Sequence, residues 1–169
     1  MSFAGLNNSL RSVVSLLAIV AFAAMAACDS QSIMDDDDEV SLSSPRPGES
    51  SADFGHRMMT TGDYQRAYDA FIKAALDEGI TSEILTGLGS ANLALGRLNQ
   101  AEELLRRAAE KDAGLPEPWN NLGVVLMEQG KYAEASNVFR KAYALDNGES
   151  DIVRDNLRLA IAKMEKSAI

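Results

Sequence analysis

One cysteine and one histidine in 169 residues leave little room for chemistry. The lone thiol, Cys28, cannot close a disulfide within the chain, nor build a multi-cysteine metal site. His56 has no second histidine and no nucleophile beside it in a recognisable pattern. H-E-x-x-H, C-x-x-C, G-x-S-x-G and P-loop patterns are all missing. Gly87-Leu-Gly89 imitates the start of a dinucleotide loop, but it lacks the third glycine and follows no strand. No cofactor or metal is implied, and the chain is not read as an enzyme. Basic charge is also short, with 16 Lys and Arg against 25 Asp and Glu, for a net charge of −9. Nucleic-acid binding wants clustered cations, so that class is excluded.

Long apolar runs are nearly absent too. Val13 to Ala27 is uncharged and follows a short polar start with Arg11. A permanent span needs about 20 apolar residues, so this run is short for one. A positive start, a short apolar middle and a small-residue exit describe a secretory signal. At the exit, Met25-Ala26-Ala27-Cys28 resembles the lipobox of bacterial lipoproteins, although that family usually has Leu, Val or Ile where Met25 stands. The resemblance implies cleavage before Cys28 and acylation of its thiol and new amino group. Two buried acyl chains already anchor stably, at about 0.8 kcal/mol per CH₂. An uncleaved membrane anchor is the competing reading. Asp29 resembles the inner-membrane retention signal of enteric lipoproteins, a rule that does not hold in every group, and the choice of membrane stays open. The expected place is the bacterial cell envelope, lipid-anchored and facing the periplasm.

Residues 1–27 are thus read as a lipoprotein signal peptide and 28–47 as a lipidated cysteine with an acidic tether. Losing 1–27 removes Arg11 and no acid, so the net charge falls from −9 to −10. The tether carries Asp35-Asp-Asp-Asp-Glu39 and Ser41-Leu-Ser-Ser-Pro-Arg-Pro47, with few apolar residues and no periodicity. Such a segment cannot bury enough surface to offset its ordering entropy. The acidic run lacks the alternating ligands, central Gly and distal Glu of a calcium loop.

What the remainder has is a period. Gly62, Gly96 and Gly130 stand 34 residues apart. The same step relates Gly55, Gly89 and Gly123. It also relates Ala67, Ala101 and Ala135, and again Ala74, Ala108 and Ala142. A 34-residue period is the length of a helix–turn–helix unit that stacks into a solenoid. The third unit reads Trp119-Asn-Asn-Leu122-Gly123, then Gly130-Lys-Tyr132, Ala135, Phe139 and Ala142. The first keeps Phe54-Gly55, Gly62-Asp-Tyr64, Ala67, Phe71 and Ala74. The second keeps Leu88-Gly89, Gly96, Ala101 and Ala108, with Leu98 and Leu105 at the aromatic places. These residues resemble the tetratricopeptide repeat (TPR) family, without its late proline. The resemblance implies an all-α, right-handed helical-hairpin solenoid with units at 48–81, 82–115 and 116–149.

Packing gives the columns a meaning. The Gly62 column ends a first helix, where a left-handed residue suits glycine. Gly55 and Ala67 are small so that two helix backbones can approach, and Ala74 does the same against the next unit. Phe54, Tyr64 and Phe71 fill the gaps. Asp151-Ile-Val-Arg-Asp-Asn-Leu157 echoes Trp119-Asn-Asn-Leu122 at a step of 35 and reads as a capping helix over 150–166, with Arg154, Arg158 and Lys163 facing water. Pro116 and Pro118 open a helix.

In the TPR family the first helix of each unit lines an inner groove. By spacing, the groove residues here are Ala52, His56, Met59, Thr86, Ser90, Leu93, Asn120, Val124 and Met127, mostly small, apolar or neutral. Such a groove suits a helix or an extended apolar segment of a partner. Met59 and Met127 fit packing between units as well as they fit groove lining. A carboxylate clamp is rejected, because Asn121 lacks the matching lysines. The arrangement of lipobox, acidic tether, three repeats and capping helix is similar to the TPR lipoproteins of tight-adherence (Flp) pilus assembly. It implies an adaptor that contacts the pilus secretin or other assembly components. The alternatives are a type IV pilotin, or a scaffold for peptidoglycan enzymes or outer-membrane assembly.

Overall fold

Seven α-helices and no strand make up the described residues, 44–168 of a computed structural model. The signal read in 1–27, Cys28 and most of the acidic tether lie outside those residues. The helices are α1 (Ser51–Thr61), α2 (Tyr64–Asp77), α3 (Ser82–Ala94), α4 (Leu98–Lys111), α5 (Pro116–Glu128), α6 (Tyr132–Leu145) and α7 (Asp151–Ser167). Their starts are chemically marked. Ser50, Asp63, Thr81 and Ser150 each accept a backbone N–H three residues on, which satisfies an orphan donor of the first turn. Pro116 is the first residue of α5, where its missing N–H costs nothing.

The hairpin turns share one device. Gly62, Gly96 and Gly130 have φ of 82°, 73° and 74°. Each glycine N–H donates to a carbonyl three residues back, and the next N–H reaches five back, as in Asp63 to Met58 at 3.0 Å. That pair of bonds closes a helix with a left-handed residue. A methyl group at any of these glycines would meet nothing within 4 Å. The column is glycine for its backbone angle alone.

The other glycine column has a different cause. A methyl built at Gly55 would lie 2.9 Å from the Phe71 ring, and one at Gly123 would lie 2.5 Å from the Phe139 ring. At Gly89 it would lie 2.5 Å from Cγ of Leu105. The sequence suggests a close approach of two backbones. The structure instead shows the large side chain of the second helix, 16 residues on, lying against the first. Gly87, outside the column, serves the same ring from the next unit, since its methyl would lie 2.5 Å from Phe71. Phe71 is therefore held between α1 and α3 and has no exposed surface. Tyr64 departs from expectation. It shares a helical face with Phe71 but stands in the first turn of α2, at the rim of the hairpin, and is 37% exposed.

From Pro45 onward the chain forms one compact unit in which each helix packs against the next. Both alanine columns belong to the second helices. Ala67, Ala101 and Ala135 have no exposed surface, and neither do Ala74, Ala108 and Ala142. Ala101 packs in the C-terminal cluster with Leu105 and Leu122, so a second-unit residue shares its core with the third unit. Ala108 stands at the end of α4, where its carbonyl accepts the buried Ser82 hydroxyl of α3 at 2.8 Å. In the same column Ala74 shares the N-terminal cluster with Ile84, Leu88 and Ala91 of the next unit. Charge links the second helices: Glu102 on α4 pairs with Arg106 and with Lys131 beside α6, and Arg106 also reaches Glu134 on α6. At the entrance, Arg57 donates two hydrogen bonds to Glu49, at 2.9 and 2.8 Å, while lying 5.0 Å over the Phe54 ring.

The Arg57 hydrogen bonds hold the Glu49 carboxyl down at about 2, helped by the Arg46 N–H. Its folded value lies below its ordinary one, so its contribution is present above about pH 4.3 and fades as pH falls toward 2. Melting temperatures measured from pH 6 to 2 are expected to fall across that window. Glu49→Gln is expected to lower the melting temperature at pH 6 and to leave a shallower fall.

Candidate functional site

The first helices form a continuous inner row, with α1 touching α3, α3 touching α5 and α5 touching α7. Side chains stitch the row together. Asn156 on α7 donates to Asn120 on α5 at 3.1 Å, and Asn120 donates to Asn121 at 3.2 Å. Asn121 in turn donates to Ser90 on α3 at 3.0 Å. The amide of Asn121 is thus already engaged between units. At the other end His56 on α1 lies 3.2 Å from Glu83 on α3, with its ring edge-on to Phe71 at 5.0 Å between centroids.

The groove residues expected from spacing fall into two groups. His56 is exposed, and Ser90, Leu93, Asn120, Val124, Met127 and Met59 are half-buried. The two methionines also pack on the cores, Met59 against the N-terminal cluster and Met127 against the C-terminal one. Ala52 and Thr86 do not line an open surface, with 7% and 4% exposure. They share a repeat position with Asn120, which accepts a hydrogen bond from Asn156 on the next first helix. Burial satisfies Thr86 locally, since its hydroxyl donates to the Ser82 carbonyl at 2.8 Å.

An open cavity of about 510 Å³ continues the groove between α5, α6 and α7. Val124, Met127, Tyr132 and Leu159 give it apolar walls, with Glu128 and Lys163 at its rim. Leu159, half exposed, is not among the residues that spacing selects for the groove. The step of 35 that relates α7 to α5 carries Val124 onto Leu159 and Glu128 onto Lys163, so the signal was present. Lys163 accordingly lines the cavity. Arg154 is half-buried, bonded to Asp151 at 2.6 Å rather than simply facing water. Trp119 is half-buried against the C-terminal cluster, with Lys141 Nζ 3.5 Å from its ring centroid. Arg158 stands where Gly123 stands in α5, so α7 lacks the glycine against which Phe139 packs in the third unit.

Two family models described as tetratricopeptide repeat match the chain, one over residues 53–116 and one over 116–149. Together they run from 53 to 149, over half of the 169 residues. The chain belongs to the tetratricopeptide repeat family. Solved structures, TPR domains among them, agree in fold. The Sgt2 TPR domain of Aspergillus fumigatus is 23% identical, with 75% of this chain and 85% of that one covered and a TM-score of 0.68. The type III secretion translocator chaperone SycD of Yersinia enterocolitica is 19% identical, with 70% and 84% covered and a TM-score of 0.64. The second TPR domain of human RPAP3, solved with the HSP70 peptide SGPTIEEVD, is 21% identical, with 66% and 92% covered and a TM-score of 0.60. The TPR fold is that of a protein-interaction scaffold, and its inner row is the surface described above. Among the described residues no His, Cys, Asp and Glu cluster is arranged for a metal. No helix among them is long and apolar enough to cross a membrane.

Proposed function

We propose that this TPR chain is a lipid-anchored adaptor of the bacterial cell envelope. It holds a protein partner along its inner groove and assists assembly of a tight-adherence pilus, secretin included. One observation carries the adaptor reading: the first helices form an unbroken inner row that opens at Val124, Met127 and Leu159. A TPR domain of the same fold holds a nine-residue peptide, which supports a peptide as the occupant here. The anchor rests on Met25-Ala26-Ala27-Cys28, and the pilus role on the order of signal, acidic tether and repeats.

Cys28→Ser tests the anchor. In a bacterium fed labelled palmitate, the parent chain is expected to take up label and sediment with membranes. The variant is expected to lose the label. Label retained on the serine variant would end the lipoprotein reading. Deletion of the whole chain tests the pathway by surface pili and secretin multimers. If both stay normal, the pilus role fails and the scaffolds for wall enzymes or outer-membrane assembly remain.

A further inference from the structure

We infer that the groove takes a basic amphipathic helix, one with an apolar stripe flanked by a row of Lys or Arg. This rests on the adaptor reading above and names the chemistry of its partner. A column of acids keeps the 34-residue step: Glu49, Glu83 and Glu117. Glu49 is neutralised by Arg57. Among the described residues Glu83, two-thirds exposed, pairs with His56, and Glu117 is exposed with no cation in pairing distance. These two acids stand seven residues before a groove position, Ser90 and Val124 respectively, and so share its helical face. Helices α3 and α5 contain no Lys or Arg at all, so this charge is not balanced on its own wall.

Acids in a first turn also favour the helix dipole. That effect accounts for their place at the start of α3 and α5. It does not account for the missing cations along the rest of both helices, nor for the apolar wall beside them. Val124, Met127 and Leu159 supply that wall. The spacings fit a helix. Packed helix axes lie about 8–10 Å apart, which sets the distance between successive acids. A partner helix presents a side chain on one face every seven residues, about 10.5 Å apart. A cation at every seventh position can meet Glu83 and then Glu117, while a leucine stripe beside that row faces Val124, Met127 and Leu159, further along α5 and α7. The peptide held by the RPAP3 domain ends in two glutamates, a valine and an aspartate, the opposite charge.

The test uses the full-length chain and two labelled synthetic helices with the same leucine stripe. One carries Lys at every seventh position and the other Glu. By fluorescence anisotropy the Lys helix is expected to bind at least about tenfold more tightly, with an advantage that shrinks as salt rises. Glu83→Lys combined with Glu117→Lys is expected to reverse the preference, and Leu159→Asp to weaken both complexes, with circular dichroism confirming that each variant stays helical. Equal binding, or preference for the Glu helix, overturns the basic partner and leaves the groove reading standing. Lys-helix binding that survives both sets of substitutions overturns it too, by placing the helix elsewhere. If neither helix binds the folded chain, the groove reading falls with it.

Discussion

Phe71→Ala is expected to lower the unfolding free energy by about 3–5 kcal/mol, the range for emptying a buried aromatic site. The ring has no exposed surface and fills the space left by two glycines, Gly55 on α1 and Gly87 on α3. Those helices belong to different units, so the cavity would open at the joint between them. Neither glycine has a side chain that can move in, which argues for the upper half of the range. Phe71→Leu is expected to cost much less, because the second unit already uses Leu105 against Gly89 at the same repeat position. Urea unfolding of the parent and both variants checks this. A Phe71→Ala chain as stable as the parent would show that the ring does not hold the first two units together.

The same residues show what a sequence discloses. The repeat length and the ends of the first helices were legible, because a period and a helix-closing glycine are one-dimensional signals. The Gly62 column was legible with its reason, since a left-handed turn is a local matter. The Gly55 column was visible, but its reason lay 16 residues away in Phe71, Leu105 and Phe139. The burial of Ala101 and Ala108 was legible from their columns, but not the neighbours that each one meets. Gly87 was invisible as a packing residue. Its repeat neighbours are Asp53 and Asn121, so no column marks it, and only contact with the previous unit explains it. The groove was half legible for a similar reason. Spacing along a helix selects a face but does not say which part of it the next first helix covers. That is why Thr86, expected on the surface, is buried, while Leu159 lies beyond the strict 34-residue step yet lines the groove.

Two alanine substitutions in the third unit separate the two kinds of glycine. Gly123→Ala places a methyl 2.5 Å from the Phe139 ring, closer than carbon atoms pack. Phe139 is itself 1% exposed in the C-terminal cluster and borders the cavity between α5, α6 and α7, so its ring can yield only toward that side. Overpacking of this kind costs about 1–3 kcal/mol. Gly130→Ala meets no atom within 4 Å, and its cost is the left-handed backbone alone, about 1–2 kcal/mol. The magnitudes overlap, so a second substitution tells them apart. Adding Phe139→Leu to Gly123→Ala is expected to change the cost of that alanine, because the two residues are in contact and their effects are not additive. Adding it to Gly130→Ala is expected to give a simple sum, since a methyl at Gly130 meets no atom of Phe139 within 4 Å. Chemical unfolding of the two double-mutant cycles measures both couplings. A coupling at Gly130, or its absence at Gly123, would mean that the two glycine columns do not differ in the way the geometry requires.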